Sequence, residues 1–421
     1  MVVRGPSSEG AETGALVGPR SARPEISSRH RPRRATSDPG AETTTAPVPR
    51  SFLAYEPEAR WDGRWKPAFR VVDFFCGCGG TSLGLVESGG RVILGIDNDP
   101  HASATFRRNF PTAAFIEGDI RAIPLEAILP RIQRTGKSPL LFCGCAPCQP
   151  FSRQNRQRGH QGDDPRTELL DIFCSFVRRY LPDLVLIENV AGIRDFGPRS
   201  PIDAAQAILR RHGYKTRLGS LDAQDYGVPQ RRRRVFLIGS LSPVRPSFPA
   251  PTHGVGRRHP NFATVKDVIG HLPPLEAGEA HPSIPNHTAA NLSPTNLARI
   301  RAIPVGGSRR DLPEALWLPC HSNEADPFTD VYGRLDEERP ASAMTTRCVS
   351  LSNGRFGHPT QDRALSAREA ACIQTFPDDF VFDGPLTAVA RQVGNAVPVK
   401  LAAQIGGALV VHLTAAAASR A

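Results

Sequence analysis

The stretch Arg70-Val-Val-Asp-Phe-Phe-Cys-Gly-Cys-Gly-Gly80 runs from β-branched and aromatic residues straight into a glycine-rich turn. Such residues suit a buried strand, and glycines let the backbone turn sharply and approach a ligand closely. A strand, a glycine turn and a following helix form the opening unit of an open α/β sheet that holds a nucleotide-like ligand at its carboxyl edge. The glycine spacing is not the dinucleotide fingerprint, and no Gly-Lys-Ser phosphate loop follows. The ligand expected from the residues therefore has a ribose and a base but needs no phosphate, a description that S-adenosylmethionine meets.

Outward from this stretch the texture repeats. Short apolar runs at Val92-Ile-Leu-Gly-Ile96, Leu140-Leu-Phe-Cys143, Leu184-Val-Leu-Ile-Glu188 and Val235-Phe-Leu-Ile-Gly239 alternate with helix-length segments such as Pro100 to Phe110, Leu169 to Tyr180 and Pro201 to His212. The expected fold is a doubly wound parallel sheet with right-handed crossovers. After Gly239 the alternation stops, and 240–340 is dense in Pro, Gly, His and Arg without a period, as an inserted loop-rich domain would be. Helix signals return at Ser366 to Phe376, with Ser366 and Glu369 placed as a capping box, and at Leu386 to Leu413. The division expected is a disordered basic tail over 1–66, a catalytic and cofactor-binding domain over 67–239, a recognition insert over 240–340, and a return over 341–421 that completes the catalytic domain.

The formal charge of +11 over 421 residues favours a polyanionic partner, although Arg29, Arg31, Arg33 and Arg34 place part of it in the tail. Nine cysteines, several in apolar settings, suit a reducing compartment rather than a disulfide framework. No apolar run reads as a membrane span and no secretory signal is seen, so a cytoplasmic, nucleoid-associated protein is expected.

Chemistry-bearing residues fall at the ends of the expected strands. Asp97 closes strand two, where a carboxylate accepts hydrogen bonds from ribose hydroxyls, and Asp119 follows strand three as an acceptor for an adenine amino group. Strand four leads into Gly144-Cys-Ala-Pro-Cys-Gln-Pro-Phe-Ser152, and strand five delivers Glu188 to the same edge. A thiol, Cys148, beside a buried and partly protonated carboxyl is what covalent attack on a pyrimidine ring requires. In Gln230-Arg-Arg-Arg-Arg-Val235, alternation in an extended chain puts Gln230, Arg232 and Arg234 on one face, which is assigned to the site. A competing reading gathers Cys76, Cys78, Cys143, Cys145 and Cys148 into a zinc or iron–sulfur site. It is set aside because these segments end two strands of one sheet, where small thiols serve as core residues.

In order and spacing, these segments resemble the DNA cytosine-5 methyltransferase family from Val71 to Ile405, except in the insert. Asp73 to Gly80 is similar to the family's first motif, Ala146-Pro147-Cys148-Gln149 to its nucleophile motif, Glu188 to Val190 to its Glu-Asn-Val, and Gln230 to Arg234 to its Gln-x-Arg-x-Arg. Arg368-Glu369-Ala370-Ala371 resembles the ninth motif and Gln392 to Pro398 the last. The resemblance implies Cys148, Glu188, Arg232 and Arg234 as catalytic residues, and contact with S-adenosyl-L-methionine by Asp73, Phe74, Phe75, Gly77, Gly79, Gly80, Asp97, Asn98, Asp119, Ile120, Asn395 and Ala396. Pro147, Gln149, Ser152, Asn189 and Gln230 are the implied substrate contacts. It also implies that Phe75 packs on adenine, that Cys148 attacks C6 of a flipped cytosine while Glu188 holds N3, and that the insert reads double-stranded DNA.

The partners expected are duplex DNA and a possible cognate restriction endonuclease, with no metal, no membrane and a monomeric chain. An RNA cytosine methyltransferase of the same fold is the alternative, disfavoured because shape recognition of a folded RNA needs no large groove-reading insert. A binding module without catalysis is disfavoured by the intact set of Cys148, Glu188, Arg232 and Arg234.

Overall fold

The computed structural model describes residues 66–147, 168–194, 200–254, 256, 260–319 and 328–419. The tail expected over 1–66 lies, up to residue 65, outside them, as do Cys148, Gln149 and Ser152.

Seven strands form one sheet: β1 (Phe69–Phe74), β2 (Gly90–Asp97), β3 (Ala114–Glu117), β4 (Leu140–Gly144), β5 (Leu184–Val190), β6 (Lys215–Asp222) and β7 (Arg233–Ser240), in the order β3-β2-β1-β4-β5-β7-β6. The first five are parallel. The central β1 is buried along its whole length, as a strand covered on both faces must be. Helices α1 (Gly80–Glu87), α2 (Pro100–Asn109), α3 (Leu129–Arg134), α4 (Leu169–Tyr180) and α5 (Pro201–Arg211) connect the strands. Two apolar cores lie on the two faces of the sheet, one around Phe74, Phe142, Phe173 and Phe176, the other around Leu141, Leu186, Phe236 and the C-terminal helices.

The doubly wound α/β architecture is present, but the sheet is mixed. β7 runs antiparallel to both β5 and β6. This reversal has a direct effect on the site: β7 begins at the edge where β5 ends, so its first residues share that edge with Glu188. β6 was not anticipated, since its exposed Lys215 and Arg217 on an edge strand break the apolar pattern.

Beyond β7 lie α6 (Val265–Ile269) and α7 (Pro294–Ala302), followed by α8 (Ala367–Ile373), α9 (Leu386–Asn395) and α10 (Val399–Ala418). A third, small core of Ile300, Ile303, Leu312, Tyr332, Leu351 and Ala364 serves the inserted region and extends past residue 340. Arg334 ties it together from inside, donating to the carbonyls of Ile300, Ile303, His358 and Gln361 and to Asp362. Ser366 and Glu369 form the capping box of α8, and Glu369 also receives both terminal nitrogens of the buried Arg363.

The span Leu386–Ala418 has the length and apolarity of a membrane-crossing helix, which the sequence reading did not expect. It is broken at 396–398 into α9 and α10. α10 packs on α1, and the approach is so close that a Cβ on Gly84 would lie 2.4 Å from the Val399 carbonyl oxygen. Its His412 reaches the β7 end, 2.8 Å from Ser240 Oγ.

Candidate active site

A cavity of about 390 Å³ opens at the carboxyl edge of the sheet, where β1 and β4 diverge in connection order. That divergence leaves a crevice, because the helices after the two strands lie on opposite faces. Phe75 turns into it through a left-handed backbone with φ of 58°. Gly77, at φ 54°, also faces it, and a Cβ there or on Gly118 would meet no protein atom within 4 Å. The other glycines of the turn do different work. A Cβ on Gly79 would lie 2.4 Å from the Phe110 ring, and one on Gly80 would lie 2.7 Å from the Val397 carbonyl oxygen. They admit protein neighbours rather than a ligand, although Gly80 also borders the cavity.

Asp97 stands at the end of β2 with one carboxylate oxygen accepting from Gly77 N (2.8 Å) and the other from Asp99 N (2.9 Å). Burial pushes its pKa above the ordinary value, opposed by these backbone donors. Asn98, Asp119, Ile120, Asn395 and Ala396 line the cavity as well. Asp119 is held by Arg121 at 2.5 Å, which lowers its pKa.

Glu188 occupies the far wall. Its carboxylate is 3.0 Å from Arg234 Nε, and both side chains are almost buried. The register explains the contact: Glu188 pairs with Phe236 and Val190 with Arg234, so the acid and the arginine are diagonal neighbours on one face of an antiparallel pair. Burial raises the Glu188 pKa, and the guanidinium of Arg234, then that of Arg232, pulls it back. The chain reaches Pro147, on the cavity wall, immediately before Cys148. Asn189 anchors that loop by donating to the Ala146 carbonyl at 3.1 Å.

Several expected residues lie elsewhere. Phe74 is in the core, packed against Phe142, Phe173 and Phe176 at centroid separations of 5.1 to 5.2 Å. Asp73 is buried beneath α1, accepts from Ser82 Oγ at 2.7 Å, and has its pKa pushed up to about 7 by burial. Gln230 is fully buried and bonded to Gln374 and to the Met344 N–H rather than presented to a substrate. Arg232 does not line the cavity either. Its guanidinium donates to the carbonyls of Met344, Gly394 and Ala396, holding the C-terminal return against the sheet. The alternation holds, with Gln230, Arg232 and Arg234 turned inward and Arg231 and Arg233 exposed, but of the three only Arg234 lines the cavity, Arg232 lying deeper under the C-terminal return.

Three charged lining residues were missed: Arg391, Asp99 and Arg121. Their charge pattern is informative. Each arginine on the wall is tied to a carboxylate of the wall: Arg121 to Asp119, Arg234 to Glu188, and Arg391 to Asp99 at 2.8 Å. Among the described residues, Asp97 is the lining carboxylate held by backbone donors alone. No group of three or more metal-binding side chains occurs among the described residues. Cys143 and Cys145 have their sulfurs 4.0 Å apart, with Cys143 buried in β4 and Cys145 on the cavity wall.

The sequence profile of C-5 cytosine-specific DNA methylases matches residues 69–410. The chain is 38% identical over 339 residues to the Type II methylase M.HgiDII of Herpetosiphon aurantiacus, covering 79% of this chain and 92% of that one. It is 34% identical to the Type II methyltransferase M1.HphI of Haemophilus parahaemolyticus, covering 80% and 86%. Among solved structures, a prophage-encoded protein of Escherichia coli described as a DNA modification methyltransferase shares the fold, with a TM-score of 0.64 at 23% identity, over 82% of this chain and 99% of that one. With the profile spanning most of its length and these relatives alongside, the chain belongs to the C-5 cytosine-specific DNA methylase family.

Proposed function

We propose that this enzyme transfers a methyl group from S-adenosyl-L-methionine to C5 of a cytosine turned out of a specific double-stranded DNA sequence, through a covalent bond between Cys148 and C6. The observation that carries the reading is one cavity whose wall holds both Asp97, with no arginine partner among the described residues, and the buried Glu188–Arg234 pair. The donor fits the residues present. Gly77 and Gly118 leave open space where any side chain would intrude, and Asp97 keeps lone pairs for ribose hydroxyls. Asp119 would take the adenine amino group and Phe75 would pack on the base. When bound, the cofactor supplies a methyl group activated by a positively charged sulfur.

The chain's own residues do the rest. The Cys148 thiolate forms a bond to C6, and the ring's electron pair moves toward C5 and N3. Glu188, whose burial favours the protonated form, donates to N3 and accepts from the exocyclic amine, so the charge accumulating on the ring is stabilised. Arg234 fixes the carboxyl in place through Nε. C5 then takes the methyl group, and loss of the C5 proton with expulsion of the sulfur restores the aromatic ring. Turning the base out costs a few kcal/mol, offset by contacts that the region 240–340 makes in reading the target sequence. The Type II names of the relatives support a cognate restriction endonuclease as functional partner. A cytoplasmic monomer suits a reaction on one base at a time.

The test is incubation of the protein with duplex DNA, or with transfer RNA, and labelled cofactor, beside Cys148→Ala. Labelled 5-methylcytosine in DNA that disappears in the variant is the expected result. Label in RNA alone, or label in DNA that survives the substitution, overturns the reading.

A further inference from the structure

The cavity wall is closed by a seam between α2 and the segment that leads into and through α9. Much of the seam is neutral, apart from an exposed contact of Arg108 with Asp383 at 3.7 Å. Asn109 donates to the Val381 carbonyl at 2.8 Å and accepts from the Val381 N–H at 3.3 Å, and the Asp383 N–H donates to Thr105 Oγ1 at 2.8 Å. At the cavity end the seam changes character. There Arg391, on α9, donates from one terminal nitrogen to Asp99 Oδ2 at 2.8 Å, and both residues line the cavity.

Asp99 divides its two oxygens between two tasks. Oδ1 caps α2, accepting from the N–H groups of His101 and Ala102, while Oδ2 takes Arg391. Its backbone N–H, in turn, holds Asp97. The residue that closes the seam is therefore wired directly to the carboxylate offered to the ligand. Its charge also bears on that carboxylate, because Asp99 lies two positions away and disfavours ionisation of Asp97.

We propose that Arg391 is a cofactor-positioning residue: through Asp99 it holds the C-terminal wall against the ribose-binding end of the cavity. This rests on the reading of the cavity as the S-adenosylmethionine site. The ion pair is partly exposed, with Arg391 46% accessible and Asp99 27%, so a modest effect is expected rather than collapse of the fold. The remaining ties along the seam, the hydrogen bonds of Asn109 and Thr105 and the Arg108–Asp383 contact, keep α9 in place when the pair is broken.

The experiment is calorimetric titration of the full chain with S-adenosylhomocysteine, comparing wild type, Arg391→Ala, Arg391→Lys, Asp99→Asn and the double variant Arg391→Ala/Asp99→Asn. Asparagine retains a capping oxygen at position 99, so Asp99→Asn tests the charge and not the helix cap. Arg391→Ala and Asp99→Asn are each expected to weaken binding about two- to fivefold, as loss of a partly exposed pair would. The double variant should be no weaker than either single one, and Arg391→Lys should recover most of the affinity. Wild type that binds while Arg391→Ala binds equally well would overturn this proposal alone, as would single losses that multiply in the double variant. Absence of binding by wild type would overturn the cofactor reading and the positioning role with it.

Discussion

On one side of the cavity, between Phe75 and Arg121, the facing residues follow directly from the ends of β1, β2 and β3. On the other side, Glu188 and Arg234 come from two strands running in opposite directions, and Asn395 and Ala396 arrive from the C-terminal return, pinned by Arg232. Local sequence builds the first wall; buried long-range polar contacts build the second. Apart from the Arg391–Asp99 tie that joins them, the first should tolerate losses at the second, while the second should fail when one of its ties is cut.

The sharpest separation of the two walls is Glu188→Gln. Turnover on DNA should fall by about 10²- to 10⁴-fold, the usual worth of a positioned acid, while S-adenosylhomocysteine affinity stays within about twofold. Equal loss of affinity would mean that the walls do not act separately.

Next in size is Arg232→Ala, which removes a donor from three carbonyl groups in a buried site, of which that of Ala396 keeps a second donor in Gln374 Nε2. It should cost about 3–5 kcal/mol in urea unfolding, and Arg232→Lys should not restore it, since a single ammonium cannot reproduce the planar fork of donors. A stable Arg232→Ala protein that has lost only turnover would return Arg232 to the catalytic set.

The smallest effect tests the region beyond β7. Burial pushes the His358 pKa down to about 4, and its ring nitrogen already accepts from the N–H groups of Thr360 and Gln361. The unfolded chain takes up that proton near pH 6.5 but the folded one does not, so stability is full above 6.5 and declines as pH falls toward 4. Glu369, whose folded pKa lies below its ordinary value, acts in the same direction at the acid end of that range. Unfolding free energies from urea titrations at pH 7 and pH 4.5 should differ by about 2 kcal/mol from His358, and His358→Asn should flatten the slope.

How much of this was legible follows the same division. The strand-end acids Asp97 and Asp119 and the capping box at Ser366 could be read because each is set by a few adjacent residues. The direction of β7 could not, because an apolar run carries no sign of which way it is crossed, and β6 was hidden by the charges that protect a sheet edge. Phe74 and Phe75 look interchangeable in sequence; the structure separates them by the end of the strand, one ring entering the core and the next turning over through a positive φ. Arg232 differs from Arg234 for a long-range reason: alternation puts both on the inner face, but the carbonyls that hold Arg232 come from residues more than a hundred positions later. Arg391 carried no signal at all, since its partner is 292 positions away.

The division also sets an order of events during synthesis. The sheet is complete once Ser240 has left the ribosome, but α1 is still uncovered, and the wall formed by Asn395, Ala396 and Val397 does not yet exist. Until that late segment emerges, the growing chain holds every strand of the sheet but lacks one wall of its cavity and the carbonyls that Arg232 binds.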